Sequence, residues 1–256
     1  MVDLHYKQYG TQGEVIVILH GIFGSLDNWH TVAQILSKQY RVYSLDLRNH
    51  GHSPHTDEMS ISLMADDVVH FFEKTGLKNI SLIGHSMGGK VAMKIAMQSP
   101  QYLKNLIVVD IAPKAYKAGH TPYFEAYQQI LLDKISNRKE LDHAFIKYEK
   151  NEGVRLFLMK NIVSNNEGGY KLKINIQGIK NGYEDVIGKL ELEKISIPTL
   201  FIKGAKSNYI LEEDMAAIKQ HFNNVQFASI ANAGHWVHAE NRDDFITAVE
   251  EFEKEK

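Results

Sequence analysis

The stretch Ile80–Ala96 constrains the fold more than any other part of the sequence. A short apolar run leads into Gly84-His85-Ser86-Met87-Gly88, and a helical pattern of apolar residues follows. This is the G-x-S-x-G arrangement, in which a serine occupies a sharp, strained turn between a strand and a helix. Glycine is needed on both sides because a side chain there would strike the neighbouring strand or helix. The stretch therefore predicts a strained turn at Ser86 and a helix that starts at Met87, with free N–H groups directed toward Ser86.

The letters from Gly84 to Lys90 also fit most of a phosphate-binding loop, G-x-x-x-x-G-K. That motif requires Ser or Thr at the next position to hold Mg²⁺, and this chain has Val91 there. No later apolar strand that ends in an acid clearly supplies a second metal position. Nucleotide binding is therefore disfavoured.

Other apolar runs alternate with helical patterns on both sides of this stretch. Strands are predicted at Leu4–Tyr9 (at an edge), Val15–Leu19, Arg41–Leu47, Asn105–Asp110, Ile197–Gly204 and Val225–Ile230. Helices are predicted at Asp27–Ser37, between Ser60 and Gly76, at Glu212–His221 and at Asp243–Phe252. Strands that alternate with helices indicate the α/β class, with a mostly parallel sheet flanked by helices.

Residues 111–195 interrupt the alternation. Amphipathic helices are predicted at Tyr123–Ile135, Leu141–Tyr148 and Gly153–Val163, then a partly alternating piece, Gly168–Ile176, and a short helix near Tyr183–Leu190. The segment is too long for a loop in a compact domain. We therefore expect an inserted helical cap, with a core formed by residues 1–110 and 196–256.

Composition excludes several classes of protein. The 256 residues are 44% hydrophobic and 23% charged, with a formal net charge of −2, which disfavours a nucleic-acid surface. There is no cysteine, so disulfides, thiolate zinc sites and a cysteine nucleophile are excluded. We find no signal-peptide core or run of transmembrane length, and expect a cytoplasmic monomer or small homo-oligomer without a membrane span. His50, His52 and His55 imitate a metal cluster, but no carboxylate stands among them at ligand spacing and turn residues surround them, so no metal or cofactor is expected.

A serine hydroxyl is a poor nucleophile at neutral pH and needs a base with an anchor for that base. In proteins with this elbow, the acid and the histidine follow the serine along the chain. Of thirteen histidines, His235 lies late, in a Gly-containing loop between the last predicted strand and the last helix. We predict Ser86 as nucleophile and His235 as its base, and place His238 behind the site or at the surface.

Two positions compete for the acid. The turn after the strand at Ile197–Gly204, its usual place, holds Ser207 where Asp is expected, and the acids of Glu212–Asp214 lie further on, where a helix start favours them anyway. Asp110 ends an apolar strand at the same edge as Ser86, and pairing with an imidazole would justify a charge there. We assign Asp110 as the acid, with Glu212–Asp214 as the alternative and Ser207 close to the acid.

A glycine-containing loop follows the strand at Val15–Leu19 and reads His20-Gly21-Ile22-Phe23-Gly24. Beside an elbow serine, such a loop supplies a backbone N–H to an oxyanion, and the residue after the serine supplies another. We predict the N–H groups of Ile22 and Met87 as the donors, with Phe23 as second choice to Ile22. We expect four further residues to lie next to the reacting groups and to hold them in position, namely Ser207, His85, His20 and Trp236.

Five segments together resemble a known family. They are His20–Trp29, Asp46–Ser53, Gly84–Lys90, Val109–Pro113 and Ala233–Glu240. They are similar to those of capped α/β-hydrolases, and in particular of the YbfF-type branch of bacterial serine esterases. The resemblance covers nearly the whole chain and is loosest in residues 111–195.

That resemblance implies hydrolysis of carboxylic esters, with acyl-CoA thioesters as further substrates, beneath a helical cap and without a cofactor. It also places the acid at the position of Asp110, with a serine at that of Ser207. Carbon–carbon bond hydrolysis or a lyase reaction on the same three residues remains an alternative, and so does a ligand-binding homologue with little turnover.

Overall fold

The computed structural model describes residues 1–165 and 168–255 of the chain. The strands in these ranges are β1 (Tyr6–Tyr9), β2 (Val15–Leu19), β3 (Arg41–Leu45), β4 (Ile80–His85), β5 (Leu103–Val109), β6 (Ile162–Ser164), β7 (Tyr170–Leu172), β8 (Thr199–Gly204) and β9 (Val225–Ile230). Seven of them form one sheet in the order β1-β3-β2-β4-β5-β8-β9, and β6 pairs with β7 in a separate ribbon. Only β1 runs antiparallel to its neighbour in the large sheet. The predicted mostly parallel sheet is thereby confirmed.

Helices cover both faces of this sheet. The α-helices in the described ranges are α1 (His30–Leu36), α2 (Ile61–Thr75), α3 (Met87–Gln98), α4 (Thr121–Gln129), α5 (Arg138–Phe145), α6 (Glu152–Met159), α7 (Ile176–Asn181), α8 (Tyr183–Ile187), α9 (Glu212–His221), α10 (Val237–Glu240) and α11 (Arg242–Lys254). Helices α2 and α3 pack on one face, and α1 and α11 on the other. Within the described ranges, every helix is too short or too polar to span a lipid bilayer.

Successive residues of the central strands face opposite layers, as a pleated strand requires. In β4, Leu82 packs into the core under α2 and α3, whereas Ile83 packs into the core under α1 and α11. Both are fully buried. The same two-sided burial in β2 explains why Val15–Leu19 is a continuous apolar run rather than an alternating one.

Local signals account for helix α2. The Ser60 hydroxyl accepts from the N–H of Leu63 at 3.1 Å, which caps the first turn, and Gly76 ends the helix in the left-handed region at φ 67°. Asp185, from the segment between β5 and β8, adds a carboxylate that accepts from the N–H of Ile61 at 2.6 Å. The cap is thus local, while the carboxylate ties a distant segment to the helix dipole.

The segment between β5 and β8 differs in detail from the sequence prediction. The helix predicted at Tyr123–Ile135 ends at Gln129, and the pattern fails because Leu131 is 56% exposed rather than part of a buried face. The helix predicted at Gly153–Val163 ends at Met159, since Ile162 and Val163 pair with β7. Helix α7 was not predicted.

The strand predicted at Arg41–Leu47 ends at Leu45, where antiparallel pairing with β1 stops.

Candidate active site

The turn between β4 and α3 holds Ser86 in a strained backbone conformation, with φ 51° and ψ −118°. The two flanking glycines permit it: a Cβ on Gly84 would lie 2.2 Å from the carbonyl oxygen of Gly88, and one on Gly88 would lie 2.6 Å from that of His20. The N–H of Ser86 donates to the carbonyl of Val109 at 3.0 Å, which ties the turn to the end of β5. Such strain persists only where the surroundings enforce it, and it is concentrated at functional sites.

Asp110 follows β5 directly and is fully buried. Its Oδ1 accepts from the N–H of Gly204 at 3.1 Å. Its Oδ2 accepts from the hydroxyl of Ser207 and from Nδ1 of His235, the latter at 2.8 Å. A buried carboxylate is costly unless such donors surround it. The structure therefore brings Asp110, Ser207 and His235 together.

The alternative acid lies in other contacts. Asp214 forms an ion pair with Lys114 at 2.5 Å, and the same oxygen accepts from the N–H of Leu211 at 2.7 Å at the start of α9. The sequence pattern places Glu212–Asp214 at a helix start, where the helix dipole favours acids, and Asp214 lies there. Asp214 is a helix-capping residue, and it is Asp110 that contacts His235.

Four contacts fix the loop that carries His235. The ring of His235 stacks on Tyr209 with centroids 3.7 Å apart, and the backbone carbonyl of His235 accepts from Nε2 of His85 at 2.9 Å. The carboxylate of Glu240 accepts from the N–H groups on either side, those of Gly234 at 2.7 Å and Trp236 at 3.2 Å. Because Nδ1 donates to Asp110, the other ring nitrogen, Nε2, carries the lone pair.

Ser86 and His235 line the same two cavities. In the described part of the chain, the Ser86 hydroxyl makes no hydrogen bond, so no protein group competes for it. A nucleophile and its base are often loosely aligned without a substrate and tighten when one binds.

Two buried histidines hold the loop after β2. His20 donates from Nδ1 to the carbonyl of Gly21 at 2.8 Å and accepts at Nε2 from the N–H of Leu47 at 3.0 Å. Burial lowers its pKa to about 4, so it stays neutral. His50 accepts at Nε2 from the N–H of Phe23 at 3.3 Å.

The contact to His50 separates the two candidate donors in this loop. The N–H of Phe23 is occupied, whereas that of Ile22 makes no hydrogen bond within residues 1–165 and 168–255. Met87 is the first residue of α3, so its N–H lacks a helical acceptor. Ile22 and Met87 both border the cavity beside Ser86.

The remaining supporting residues also lie near this point. His85 is buried, which lowers its pKa well below the usual value, and it holds the His235 loop as described. Trp236 lines the larger cavity and packs its ring against Phe157, with centroids 5.6 Å apart. His238 is buried and stacks on Trp29 at 3.9 Å, so it is not at the surface.

The two disfavoured interpretations find no support in the contacts. Lys90 directs its ammonium to the carbonyls of Val186, at 3.0 Å, and Gly188, and is not free to hold a phosphate. His50 uses both ring nitrogens on backbone groups, the second on the carbonyl of Arg48 at 2.9 Å. No three His, Asp or Glu side chains converge as a metal site in the described ranges.

The cavities on the two sides of Ser86 have volumes of about 610 Å³ and about 470 Å³. Their linings share Ile22, Ser86, His120 and His235. The larger one is also bordered by apolar side chains of α6, such as Val154 and Phe157, and by polar ones that include Lys160. The smaller one is bordered by Ile111 and Val186, among others, and by Lys117 and Lys206. An elongated molecule with a central reactive group fits such a pair of cavities.

Sequence reasoning missed three side chains of this site, namely Tyr209, Glu240 and His120. Glu240 could have been noticed, because an acid shortly after a glycine-containing loop can accept that loop's N–H groups. Tyr209 and His120 carried no comparable signal. Their positions depend on how the turn after β8 and the segment after β5 fold back toward Ser86.

Comparison with known proteins agrees with this architecture. The family described as the alpha/beta hydrolase fold matches residues 14–242. The chain is 36% identical over 260 residues to the sn-1-specific diacylglycerol lipase ABHD11 of Xenopus laevis, covering 97% of this chain and 83% of that one. It is 31% identical over 238 residues to esterase YbfF of Escherichia coli, covering 93% of this chain and 92% of that one.

A solved structure of a marine microorganism esterase superposes with a TM-score of 0.95 at 38% identity, and the match covers 98% of this chain and 100% of that chain. The resemblance inferred from the motifs, including that to the YbfF-type esterases, is thereby confirmed. The strained serine turn, the mostly parallel sheet and these relatives agree that the chain belongs to the α/β-hydrolase fold family.

Proposed function

We propose that this protein is a serine hydrolase of carboxylic esters, in which Ser86 is the nucleophile, His235 the base and Asp110 the acid. One observation carries the proposal. Nδ1 of His235 is hydrogen-bonded to the buried carboxylate of Asp110, and the same imidazole ring lines the two cavities that Ser86 lines. The relatives named as esterases and lipases support the reaction class.

The first half of the reaction transfers the acyl group to the enzyme. Nε2 of His235 takes the proton of the Ser86 hydroxyl as its oxygen attacks the carbonyl carbon, and the carbonyl π electrons move to oxygen. The carboxylate of Asp110 stabilises the imidazolium that forms. His235 then gives the proton to the departing alcohol as its bond to carbon breaks, which leaves an acyl group on Ser86.

The second half is the same proton traffic with water in place of the alcohol. His235 deprotonates the water, which attacks the acyl carbonyl, and the proton passes to Ser86 as the acid leaves. Thiols can leave in place of alcohols by the same steps, so thioesters belong to the proposed substrate class.

The N–H groups of Ile22 and Met87 are the proposed oxyanion donors. Both are without a protein acceptor in the described ranges and both border Ser86. Each such donor contributes about 3–4 kcal/mol to transition-state stabilisation when it is already in place before the reaction. The hydrogen bond from the N–H of Phe23 to Nε2 of His50 keeps the loop in that arrangement.

We also propose that residues 111–195 act as a cap over a core of residues 1–110 and 196–256. Helix α6 and His120 from this segment line the cavity that contains Ser86. Polar contacts join it to the core, among them Nδ2 of Asn161 to the carbonyl of Phe23 at 2.7 Å and Nδ2 of Asn175 to the side-chain oxygen of Asn49 at 3.0 Å. These contacts hold the cap on the loops around the site.

A fluorophosphonate probe followed by a turnover panel tests the function. The probe should modify Ser86 in the wild type and nothing in Ser86→Ala, and the wild type should hydrolyse acyl esters and acyl-CoA thioesters of increasing chain length. An unlabelled Ser86 would favour a ligand-binding homologue. Labelling without turnover of any ester or thioester would favour carbon–carbon bond cleavage on the same residues.

A further inference from the structure

His120 lies at the junction of the two cavities. It precedes α4, is half-buried, and borders both cavities together with Ser86 and His235. The mechanism above gives it no task. A polar side chain at the point where both halves of a substrate meet calls for a physical explanation.

The hydrogen bonds of His120 identify its tautomer. Its backbone N–H donates to the hydroxyl oxygen of Tyr183 at 3.1 Å, and its Nδ1 lies 2.8 Å from the same oxygen. Tyr183 is buried, and its hydroxyl has no other acceptor within the described ranges, so the opposite tautomer would leave a buried hydroxyl proton unpaired. We therefore assign the hydroxyl as the donor and Nδ1 as the acceptor. The ring hydrogen of a neutral imidazole then resides on Nε2.

Nε2 is the free donor of this side chain. In the part of the chain that the structure describes, it has no hydrogen-bond partner, and unlike Nδ1 of His238 it is not sealed from solvent. Aromatic rings surround the imidazole, with Phe23 and Tyr123 both at 5.9 Å between centroids. These rings and Tyr183 hold the imidazole in place, so Nε2–H is oriented before a ligand arrives.

We propose that His120 selects substrates that carry an uncharged acceptor oxygen close to the scissile ester, by donating a hydrogen bond from Nε2–H. The inference rests on the proposed ester hydrolase function and narrows its substrate class to esters with a nearby ether, hydroxyl or second ester oxygen. A purely aliphatic ester would leave the donor without an acceptor once water is excluded, and the site then discriminates against it.

The uncharged state of His120 defines the kind of oxygen. Burial, with a smaller contribution from nearby His235, lowers the pKa of His120 to about 4. The donor is therefore a dipole at neutral pH and not a cation. Tyr183 and Tyr123 contact the ring, and His235 lies near it. Lysines also line the two cavities, Lys117 and Lys206 in the smaller one and Lys160 in the larger one. His120 itself therefore supplies no positive charge for a carboxylate, and its own preference is for a neutral acceptor oxygen.

Isosteric esters test the proposal. Butyl pentanoate is the reference; 2-methoxyethyl pentanoate replaces one CH₂ by oxygen in the alcohol half, and butyl 3-methoxypropanoate does so in the acyl half. The wild type should show a higher kcat/KM for at least one methoxy ester than for the reference. His120→Phe keeps a flat ring but no donor, and should reduce that preference by about three- to tenfold, the usual effect of one neutral hydrogen bond.

Two further variants separate hydrogen bonding from structure. His120→Gln places an amide N–H near the position of Nε2 and should restore part of the preference. Tyr183→Phe removes the hydroxyl that fixes the tautomer and should weaken the preference in the same direction as His120→Phe. Fluorophosphonate labelling of Ser86 in each variant checks that the site is intact.

The outcomes distinguish the two proposals. An unchanged methoxy-to-reference ratio in His120→Phe, with full turnover, would overturn the role of His120 and leave the ester hydrolase function standing. Equal loss on all esters would also overturn it, because the residue would then be structural. If the wild type hydrolyses none of the esters, the proposed function fails and the role of His120 fails with it.

Discussion

Replacement of Asp110 by Asn tests the proposed acid most directly, because the structure determines how the new amide would sit. The N–H of Gly204 donates to Oδ1 at 3.1 Å. The amide oxygen of Asn must take this position, since the NH₂ group would meet a donor there. The NH₂ group then occupies the place of Oδ2, 2.8 Å from Nδ1 of His235.

That orientation inverts the tautomer of His235. The NH₂ group can only donate, so Nδ1 must accept and the ring proton moves to Nε2. Nε2 then has no lone pair for the proton of Ser86, and the stabilising charge on the acid is also gone. In serine hydrolases with this arrangement such a change lowers kcat by about 10⁴-fold, or roughly 5.5 kcal/mol of transition-state stabilisation.

Two variants are the matched controls. Ser207→Ala removes a hydroxyl that donates to the same oxygen but leaves the carboxylate with His235, and should cost less than about tenfold in kcat. Asp214→Asn alters the rival carboxylate, which pairs with Lys114, and should leave turnover near the wild-type value.

The measurement is steady-state hydrolysis of a p-nitrophenyl ester, with circular dichroism to check that each variant is folded. The reasoning is refuted if Asp110→Asn retains turnover within about tenfold of the wild type. It is refuted equally if Asp214→Asn loses as much activity as Asp110→Asn.

Three further predictions concern stability. Gly84→Ala would place a Cβ 2.2 Å from a carbonyl oxygen of α3 and should cost about 3 kcal/mol or more in urea unfolding, whereas Gly119→Ala, with its nearest atom at 4.0 Å, should be close to neutral; equal effects would contradict the packing argument. Arg48→Met leaves the buried carboxylate of Asp67 without its 2.6 Å ion pair and should cost about 3–5 kcal/mol, and a loss below about 1 kcal/mol would show that the pair is not needed. Burial lowers the pKa of His238 from 6.5 to about 3, so the unfolded chain binds a proton that the folded chain does not, and stability is lost as pH falls below 6.5. Between about pH 7 and about pH 5, the free energy of unfolding of the wild type should fall by up to about 2 kcal/mol more than that of His238→Phe. Identical pH profiles would disprove this.

Much of the sheet could be predicted because its signals are local. Burial on both sides makes β2 a continuous apolar run and gives β5 the apolar stretch Leu106–Val109. The bounds predicted for β9 and α9 match those of the structure. The strained turn at Ser86 could be predicted for the same reason, since Gly84 and Gly88 supply the required space within the pentapeptide itself.

The segment between β5 and β8 was harder to predict. Apolar periodicity indicates that one face of a helix is buried, but not what covers that face. The periodicity therefore predicts a helix that includes Leu131, whereas Leu131 is exposed. Helix α7 packs where Gly178 meets the carbonyl of Thr56, with 2.3 Å between a Cβ there and the oxygen. A contact of this kind between distant segments leaves no mark in the local sequence.

The sequence by itself determined the strand–turn–helix at Ser86 and placed Asp110 and His235 in loops at one edge of a parallel sheet, because these features depend on neighbouring residues. Only the tertiary structure decided that His235 contacts Asp110 rather than Asp214, and that His120 reaches the junction of the cavities. The physical reason is that side-chain pairing across more than a hundred residues depends on where whole elements pack, and hydrogen bonds between such residues form only once the chain has brought them within reach.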